Sequence, residues 1–360
     1  MDEIIEQNAG SIYTLTSVSV RVCDIGGWLD TWFAKNGEIV NLSVLSRYAF
    51  SDAPYRGIDV LVNKKPGKGI ISIMAADPIF DVTVKIAELM SNNFDKRNLL
   101  LAVLSLLPLE TMRESDFTIR IESPIPPGAS MGTSAAISVC LIKAMSQFLP
   151  EESFDRSPGN VAHTAFRAET EVMGGQSGTQ DQWAAAYGLG AQFMTINYPK
   201  TTIQPVSVSD EFKKQLEDCL ITVFVGQHSS SEVHKLVIGG LESEGEGSER
   251  LKDLRTLPEQ AKTALLQADI KLFGSIMVKN TEAQRKLHPG LVGRHHQEVI
   301  DLAKKCQCLG YKVNGAGGEG GSVSILFENT KDKRMFYDKA ITILSEEYKY
   351  FEHKIVGSEE

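Results

Sequence analysis

The stretch PPGASMGTSAA occupies residues 126–136, between a predicted strand at Phe117–Glu122 and a predicted helix at Ser134–Gln147. Its glycines and small residues allow a sharp turn and a close approach of the backbone to a ligand. Consecutive amide N–H groups would face outward where the helix begins, and the helix dipole adds partial positive charge there. The segment therefore predicts a loop that binds the phosphates of a nucleotide.

Two hydroxyl groups stand where this helix begins. Thr133 and Ser134 provide them, and one of the two could ligate Mg²⁺. The loop lacks the Gly-Lys-Ser/Thr ending of a Walker A motif. A plain strand-turn-helix with Thr or Ser as the helix cap is the alternative interpretation. The helix itself is apolar nearly all round, so we expect it to be buried centrally.

A second glycine-rich segment lies near the end of the chain. Residues 314–321 read NGAGGEGG, and five of the seven residues from Gly315 to Gly321 are glycine. So many glycines are costly in conformational entropy. Such a loop is typical of a place where the backbone must approach something closely, although a flexible hairpin loop is the alternative.

Bulk composition excludes several classes of protein. The 360 residues are 42% apolar and 23% charged, with a net charge of -9. A nucleic-acid binder would show a basic excess or stripe, and neither is present. No apolar run reaches about 18 residues, so no membrane span is expected. The acidic N-terminus lacks a signal-peptide pattern, so we expect a cytoplasmic protein.

Secondary-structure patterns change along the chain. The first part is rich in predicted strands, with helical patterns at Asp81–Met90 and Asn98–Leu107. The second part is rich in predicted helices. This order favours an α+β protein of two domains, which we place at residues 1–200 and 201–360.

A third segment connects these loops to a known family. Residues 21–30 read RVCDIGGWLD, and together with the two glycine-rich loops they resemble, in order, the motifs of the GHMP kinases (galactokinase, homoserine kinase, mevalonate kinase and phosphomevalonate kinase). This segment and GGQSGTQDQWAAAYG at 174–188 are most similar to the heptose 7-phosphate kinase and fucose kinase branch. The resemblance implies an N-terminal ribosomal-protein-S5-like α/β domain and a C-terminal ferredoxin-like α/β domain.

The resemblance also implies roles for individual residues. Asp181 falls on the catalytic aspartate and Arg21 on its cationic partner. Ser134 and Glu169 fall on the Mg²⁺ ligands. Asp30 falls on the residue that accepts a hydrogen bond from a sugar hydroxyl. The ATP-binding residues would be Pro127, Gly128, Ala129, Ser130, Met131, Gly132, Thr133, Ser134 and Ala135, and the further substrate-binding residues Gly27, Trp28, Gly317 and Gly318.

Each of these residues also has a structural interpretation. Asp181 could cap a helix, Arg21 could be a surface charge at a strand end, and Asp30 could be a turn residue. Glu171 is a rival of Glu169. Glu319 departs from the family pattern, and we expect its carboxylate to point away from the phosphates because it would repel them.

The resemblance implies an activity that transfers the γ-phosphoryl group of Mg-ATP to a hydroxyl of a sugar or sugar phosphate. The anomeric hydroxyl is the expected acceptor. A kinase of the mevalonate type and a catalytically silent sensor that binds ATP and sugar are the alternatives. The segment QHSSS at 227–231 follows a predicted strand, and it is either a helix cap or a loop that contacts substrate. Neither the sugar nor the oligomeric state, including a homodimer, can be read from the sequence.

Overall fold

Strands and helices are present in both halves of the chain, and the predicted α+β class is confirmed. The computed structural model describes residues 2–7, 11–75, 80–228 and 232–357. The strands are β1 Asp2–Gln7, β2 Ser11–Val18, β3 Val20–Ile25, β4 Asn36–Tyr48, β5 Ile58–Pro66, β6 Ile70–Ala75, β7 Phe80–Lys85, β8 Ser115–Glu122, β9 Ala191–Asn197, β10 Lys200–Pro205, β11 Leu220–Gly226, β12 Gly310–Val313, β13 Gly321–Leu326 and β14 Lys349–Ile355.

Helices dominate the second half, as the sequence pattern predicts. They are α1 Ile86–Met90, α2 Leu99–Leu104, α3 Thr133–Ser146, α4 Pro158–Arg167, α5 Gln180–Tyr187, α6 Asp210–Cys219, α7 Glu232–Glu244, α8 Lys252–Arg255, α9 Leu257–Leu266, α10 Ile270–Leu287, α11 Arg294–Lys305 and α12 Thr330–Ile343. A π-helical turn at Ala168–Val172 continues α4. Among the described residues, none of these helices has the length and hydropathy needed to cross a bilayer.

The first sheet contains six strands in the order β1-β2-β5-β8-β6-β7. Its β6 and β8 are parallel, whereas its other neighbours are antiparallel. In β8 the alternate residues Phe117, Ile119 and Ile121 are buried, because successive side chains of a strand face opposite sides of the sheet. The loop that follows β8 is the predicted phosphate loop, so this sheet fixes one end of it.

The second sheet contains strands from both sides of residue 200. Its order is β10-β9-β4-β14-β11-β13-β12, and β3 also pairs with β4. The long strand β4 pairs with β9 over one half of its length and with β14 over the other. The largest core cluster likewise includes Val40 and Ile142 together with Phe273. The domain boundary near residue 200 stays a prediction.

Helix α3 lies at the centre of the molecule. It packs against β2 and β5 on one side and against α4 and α5 on the other. Val139, Leu141 and Ile142 are fully buried, in agreement with the expectation from its apolar pattern. A helix held on several sides is a rigid support for whatever binds at its first turn.

The predicted helix at Asp81–Met90 is wrong over its first half. Residues Phe80–Lys85 form the strand β7, and only Ile86–Met90 are helical. Strand β7 pairs with β6 at the edge of the first sheet, from Ile70 opposite Lys85 onward. The β-branched residues Val82, Thr83 and Val84 suit that pairing better than a helix.

Candidate active site

One cavity of about 390 Å³ collects the segments that the sequence singles out. It lies between the loop after β8, the start of α5, the turn after β3, the loop between β12 and β13, and helix α7. The cavity is lined by Arg21, Trp28, Asp30, Thr31, Trp32, Phe33, Gly128, Ala129, Ser130, Gly132, Thr133, Ser134, Ala135, Glu169, Gln176, Ser177, Gly178, Gln180, Asp181, Gln182, His228, His234, Ile238, Gly315 and Ala316.

The first turn of α3 presents its backbone amides to this cavity. Gly132 stands at the N-cap with a φ of 73°, a left-handed conformation that glycine adopts without strain. No side chain caps the helix there, so the alternative in which Thr or Ser is the cap does not hold. The first N–H groups of a helix have no partner within it, and they form a site for an anion.

Two hydroxyls accompany these amides. The Oγ1 atom of Thr133 is buried and has no hydrogen-bond partner within the described residues. Ser134 is exposed and lines the cavity. A buried hydroxyl without a partner is costly, unless a ligand completes its hydrogen bonds.

Arg21 and Asp181 form a two-pronged ion pair beside the phosphate loop. The Nε atom of Arg21 donates to Oδ1 of Asp181 at 2.8 Å, and Nη2 donates to Oδ2 at 3.1 Å. Arg21 also donates to the carbonyl of Ser130, which ties the pair to the loop. The Arg21 side chain is 4% exposed, while that of Asp181 keeps 30% of its surface open.

A buried carboxylate stands behind Arg21. Asp24 lies 3.8 Å from the Arg21 guanidinium and 3.3 Å from the ammonium of the buried Lys312. Burial alone would lower the pKa of Arg21, but the charges of Asp181 and Asp24 raise it above its ordinary value. Asp24 also accepts a hydrogen bond from the backbone N–H of Gly315 at 3.1 Å, so it connects Arg21 to the glycine-rich loop at residues 314–321.

Asp30 holds the start of the helix that carries Asp181. Its Oδ2 accepts the N–H of Gln180 at 3.0 Å, and its carbonyl accepts the N–H of Thr179 at 3.2 Å. Asp30 is 4% exposed, and burial raises its pKa to about 6, against the opposing effect of the Gln180 hydrogen bond. The carboxylate is therefore ionised above pH 6 and can accept a hydrogen bond from a hydroxyl.

Glu169 lies in the π-helical turn that continues α4. Such turns are frequent at functional sites. Its Oε2 accepts the hydroxyl of Ser177 at 2.6 Å, and burial raises its pKa. The rival Glu171 does not line the cavity and instead pairs with Arg167 at 2.8 Å on the surface.

The oxygens of Ser134 and Glu169 suit magnesium. They line the same cavity, and so does Thr133, whose buried hydroxyl has no partner within the described residues. Magnesium prefers oxygen ligands and keeps several positions for phosphate oxygens and water, so a small protein donor set fits it. Within the described ranges, no group of three or more His, Cys, Asp or Glu side chains forms a metal cluster.

The glycine-rich loop at residues 314–321 lies partly in the cavity wall and partly behind it. Gly315 and Ala316 line it, whereas Gly317 and Gly318 lie behind the wall, beside Leu291 and His234. A methyl group on Gly315 would come 3.1 Å from Cβ of Ser130, so this glycine lets the two loops touch. Glu319 is exposed and does not line the cavity, in agreement with the expectation that it points away.

Other residues of the predicted set occupy different positions. Trp28 lines the cavity, with its ring stacked on His234 at 6.2 Å between centroids. Gly27 lies behind it and packs against Asp24. Pro127 and Met131 do not line the cavity, and the carbonyl of Met131 accepts the N–H of Arg21 at 3.0 Å.

Part of the opposite wall lies outside the predicted set of site residues. Trp32, Gln176, Gln182 and His234 line the cavity, although none of them is among the predicted site residues. The polar density of residues 174–188 was a signal for the two glutamines, and none existed for His234. His228 lines the cavity and its N–H donates to the Gly128 carbonyl at 2.8 Å, whereas residues 229–231 of the QHSSS segment lie outside the described ranges.

Comparisons with known proteins find matches for part of the sequence and for the fold. Residues 98–189, which include the phosphate loop and Asp181, match the family described as GHMP kinases N terminal domain. The fold matches a D-glycero-D-manno-heptose 1-phosphate kinase from Bacteroides thetaiotaomicron with a TM-score of 0.68 at 19% identity, covering 95% of this chain and 97% of that chain. It matches Methanococcus jannaschii mevalonate kinase with a TM-score of 0.70 at 19% identity, covering 98% and 100%. Residues 98–189 thus match the GHMP kinase N-terminal domain family, and the fold over most of the chain is that of these two kinases.

Relatives in sequence act on different substrates by name. The chain is 23% identical over 338 residues to a bifunctional fucokinase/GDP-fucose pyrophosphorylase of Arabidopsis thaliana, covering 89% of this chain but 30% of that protein. It is 24% identical over 223 residues to the D-glycero-alpha-D-manno-heptose 7-phosphate kinase of Campylobacter jejuni, covering 61% and 64%. It is 27% identical over 256 residues to the mevalonate kinase of Methanocaldococcus jannaschii, covering 70% and 75%. The first two matches span less than two thirds of those relatives.

Proposed function

We propose that this protein transfers the γ-phosphoryl group of ATP, as its magnesium complex, to a hydroxyl of a sugar or sugar phosphate, with the anomeric hydroxyl as the acceptor. The observation that supports this most is the Arg21–Asp181 pair, which lies in the same cavity as the uncapped first turn of α3. Phosphoryl transfer requires alignment and charge stabilisation rather than covalent help from the protein.

The phosphate loop would supply the alignment of the donor. Amides of the loop residues between Gly128 and Ser134 that line the cavity would face the triphosphate, and the dipole of α3 would favour negative charge at that point. Ser134 and Glu169 would hold the magnesium ion. When bound, the ion would neutralise charge on the transferred group and on the leaving ADP.

Asp181 would take the proton of the acceptor hydroxyl. The acceptor oxygen then forms a bond to the γ-phosphorus while the bond to the bridging oxygen of ADP breaks. Asp181 retains an open face toward the cavity, and Arg21 on its other side stabilises the charge that develops on the acceptor oxygen and the transferred group. The products are ADP, a sugar phosphate and a proton.

Asp30 would orient the acceptor. Above pH 6 its carboxylate accepts a sugar hydroxyl, and its hydrogen bond to Gln180 keeps it in register with Asp181. Because Asp30 stabilises the first turn of α5, the acceptor-binding group and the base move as one unit. Such coupling supports transfer to one particular hydroxyl.

A screen of acceptors tests this proposal. Release of ADP from Mg-ATP is measured with reducing sugars, with phosphates of heptose, fucose and mannose, and with mevalonate, which some relatives use by name. NMR of the product then identifies the phosphorylated oxygen. We expect turnover with a sugar and phosphate on its anomeric oxygen. Turnover with mevalonate alone, or binding of ATP and sugar without ADP, would refute the proposal.

A further inference from the structure

Part of the cavity lining outside the phosphate loop has an unusual charge distribution. We call it the acceptor wall, and it consists of Trp28, Asp30, Thr31, Trp32, Phe33, Gln176, Ser177, Gly178, Gln180, Gln182, His228, His234 and Ile238. If the proposed function holds, this wall recognises the acceptor. The question is whether it fits an acceptor that carries a phosphate or a carboxylate.

Fixed positive charge is scarce in this cavity. Among the described residues that line it, Arg21 is the sole lysine or arginine. The residues outside the described ranges contain neither lysine nor arginine. The charge of Arg21 is already opposed by Asp181 and Asp24. A second anion on the acceptor would therefore find no cation of its own.

The two histidines of the acceptor wall do not fill this gap. Burial lowers the pKa of His228, and the neighbouring His234 lowers it further. Burial also lowers the pKa of His234, whereas hydrogen bonds with the backbone of Ala316 and Gly317 oppose this shift. Both rings are consequently neutral at pH 7, and a neutral imidazole provides no charge to balance a phosphate.

Negative charge is abundant there instead. Asp30, Glu169 and Asp181 line the cavity. A fourth carboxylate, Glu242 on α7, lies at the far end, where it accepts from Nε1 of Trp32 at 2.6 Å and from Nε2 of Gln176 at 3.2 Å. An anionic acceptor would have to be desolvated against these carboxylates, which is unfavourable.

Neutral groups make up the rest of the wall. Nε1 of Trp28, Oε1 of Gln180 and Oε1 of Gln182 are buried and have no partner within the described residues. They provide one donor and two acceptors without charge. Sugar hydroxyls both donate and accept, so they match this set, and the indole of Trp28 offers an apolar surface to sugar C–H groups.

We propose that the acceptor is an uncharged sugar and that sugar phosphates and carboxylated acceptors are excluded by charge. This inference rests on the proposed kinase function and narrows its substrate class. Hydroxyls are recognised by Asp30 and by the unpartnered indole and amide groups of the acceptor wall. Glu242 and the absence of a second cation discriminate against anions.

Matched pairs of sugars test the inference directly. Each pair compares a neutral sugar with its charged counterpart: mannose with mannose 6-phosphate, a heptose with its 7-phosphate, and galactose with galacturonic acid. The measured quantity is kcat/KM for ADP release with saturating Mg-ATP. We expect the best neutral sugar to exceed every charged compound by at least about 100-fold, because the added charge would be buried without a cation. A charged compound with the higher kcat/KM would overturn the inference and leave the kinase proposal intact. No turnover with any sugar would overturn both.

Reversal of the rim charge gives a second test. In Glu242→Lys, the ratio of kcat/KM for a charged compound to that of its neutral counterpart should rise at least about tenfold, because a repulsion becomes an attraction. Glu346→Lys makes the same charge change on an exposed loop residue and should leave the ratio unchanged. An unchanged ratio in Glu242→Lys would contradict exclusion by charge at this end of the cavity.

Discussion

The two halves of the cavity are built from different materials. The half that would bind the phosphate donor consists of backbone amides from one contiguous segment, residues 128–134, at the start of a buried helix. The acceptor half consists of side chains from the turn after β3, the start of α5 and helix α7. Backbone amides bind any triphosphate, whereas side chains discriminate between acceptors. We infer that substrate specificity resides in the acceptor half.

The junction of the two halves should show the largest effect. Replacement of Asp181 by Asn removes the base and keeps its size, so kcat should fall about 10²- to 10⁴-fold while nucleotide affinity stays within about threefold. Steady-state ADP release and calorimetric titration with ATP measure the two quantities. Asp210→Asn, at an exposed position on α6, is the matched control and should leave kcat unchanged. A kcat retained in Asp181→Asn would remove that residue from the chemistry.

A substitution on the acceptor side should separate acceptor binding from stability. In Asp30→Asn, the acceptor KM at pH 8 should rise about 10- to 100-fold, because a charged acceptor of a hydrogen bond is lost. In the unmodified protein, this KM should also rise as the pH falls through about 6, where Asp30 becomes protonated. The variant should lack that dependence, and measurement of KM from pH 5 to 8 compares the two.

Asp30→Asn should stabilise the fold above pH 6, although it weakens acceptor binding. The folded pKa of Asp30, about 6, lies above the ordinary aspartate value of about 3.9. Protonated Asp30 therefore stabilises the fold below pH 4, and this contribution, about 3 kcal/mol, is lost as the pH rises through 6. Above pH 6, Asp30→Asn should raise the melting temperature relative to the unmodified protein. A lower melting temperature in the variant at pH 8 would contradict the assigned cost of burial.

A substitution on the donor side should weaken nucleotide binding. In Gly132→Ala, the methyl group is forced into a left-handed conformation, and it lies 3.3 Å from Cγ of Asp181. The strain, about 1–2 kcal/mol, should tilt the amides and weaken nucleotide binding about tenfold. Gly239→Ala, on α7, meets nothing within 4 Å and serves as the control. Equal nucleotide affinity in the two variants would break the distinction between the halves.

The smallest expected effect concerns the metal. In Glu169→Gln, the hydrogen bond from Ser177 can persist, but the negative charge disappears. The Mg²⁺ concentration for half-maximal activity should rise about 5- to 10-fold, as for loss of one charged ligand in a water-rich site. Glu171→Gln, on the same turn, alters a surface ion pair and should not shift the Mg²⁺ titration. Equal titrations for both variants would exclude Glu169 as a ligand.

The donor half was predictable from the sequence because its residues are adjacent in the chain. The loop from Gly128 to Ser134 needs glycines and a helix start, and both are visible as letters. Trp32, His234 and Glu242 meet only through the packing of α7 on the turn after β3, where Val237 and Leu241 contact the cluster of Phe33. No local pattern encodes that contact.

Long-range pairing explains what else was hidden. Strand β7 reads as helix in isolation because its strand character depends on the neighbouring β6. The second sheet joins β4 to β14 across most of the chain, which a change in composition near residue 200 cannot reveal. The roles of Gly317 and Gly318 illustrate the same limit, since the glycine pattern marks a close approach without naming its partner.

A crystal structure with magnesium and a non-hydrolysable ATP analogue tests the central claim most directly. We expect the triphosphate to contact the amides of Gly132, Thr133 and Ser134, with the γ-phosphorus facing the Arg21–Asp181 pair. The acceptor wall should remain open beside that phosphorus. A triphosphate bound elsewhere, or one that fills the space between Trp28 and Asp30, would contradict the division of the cavity into a donor half and an acceptor half.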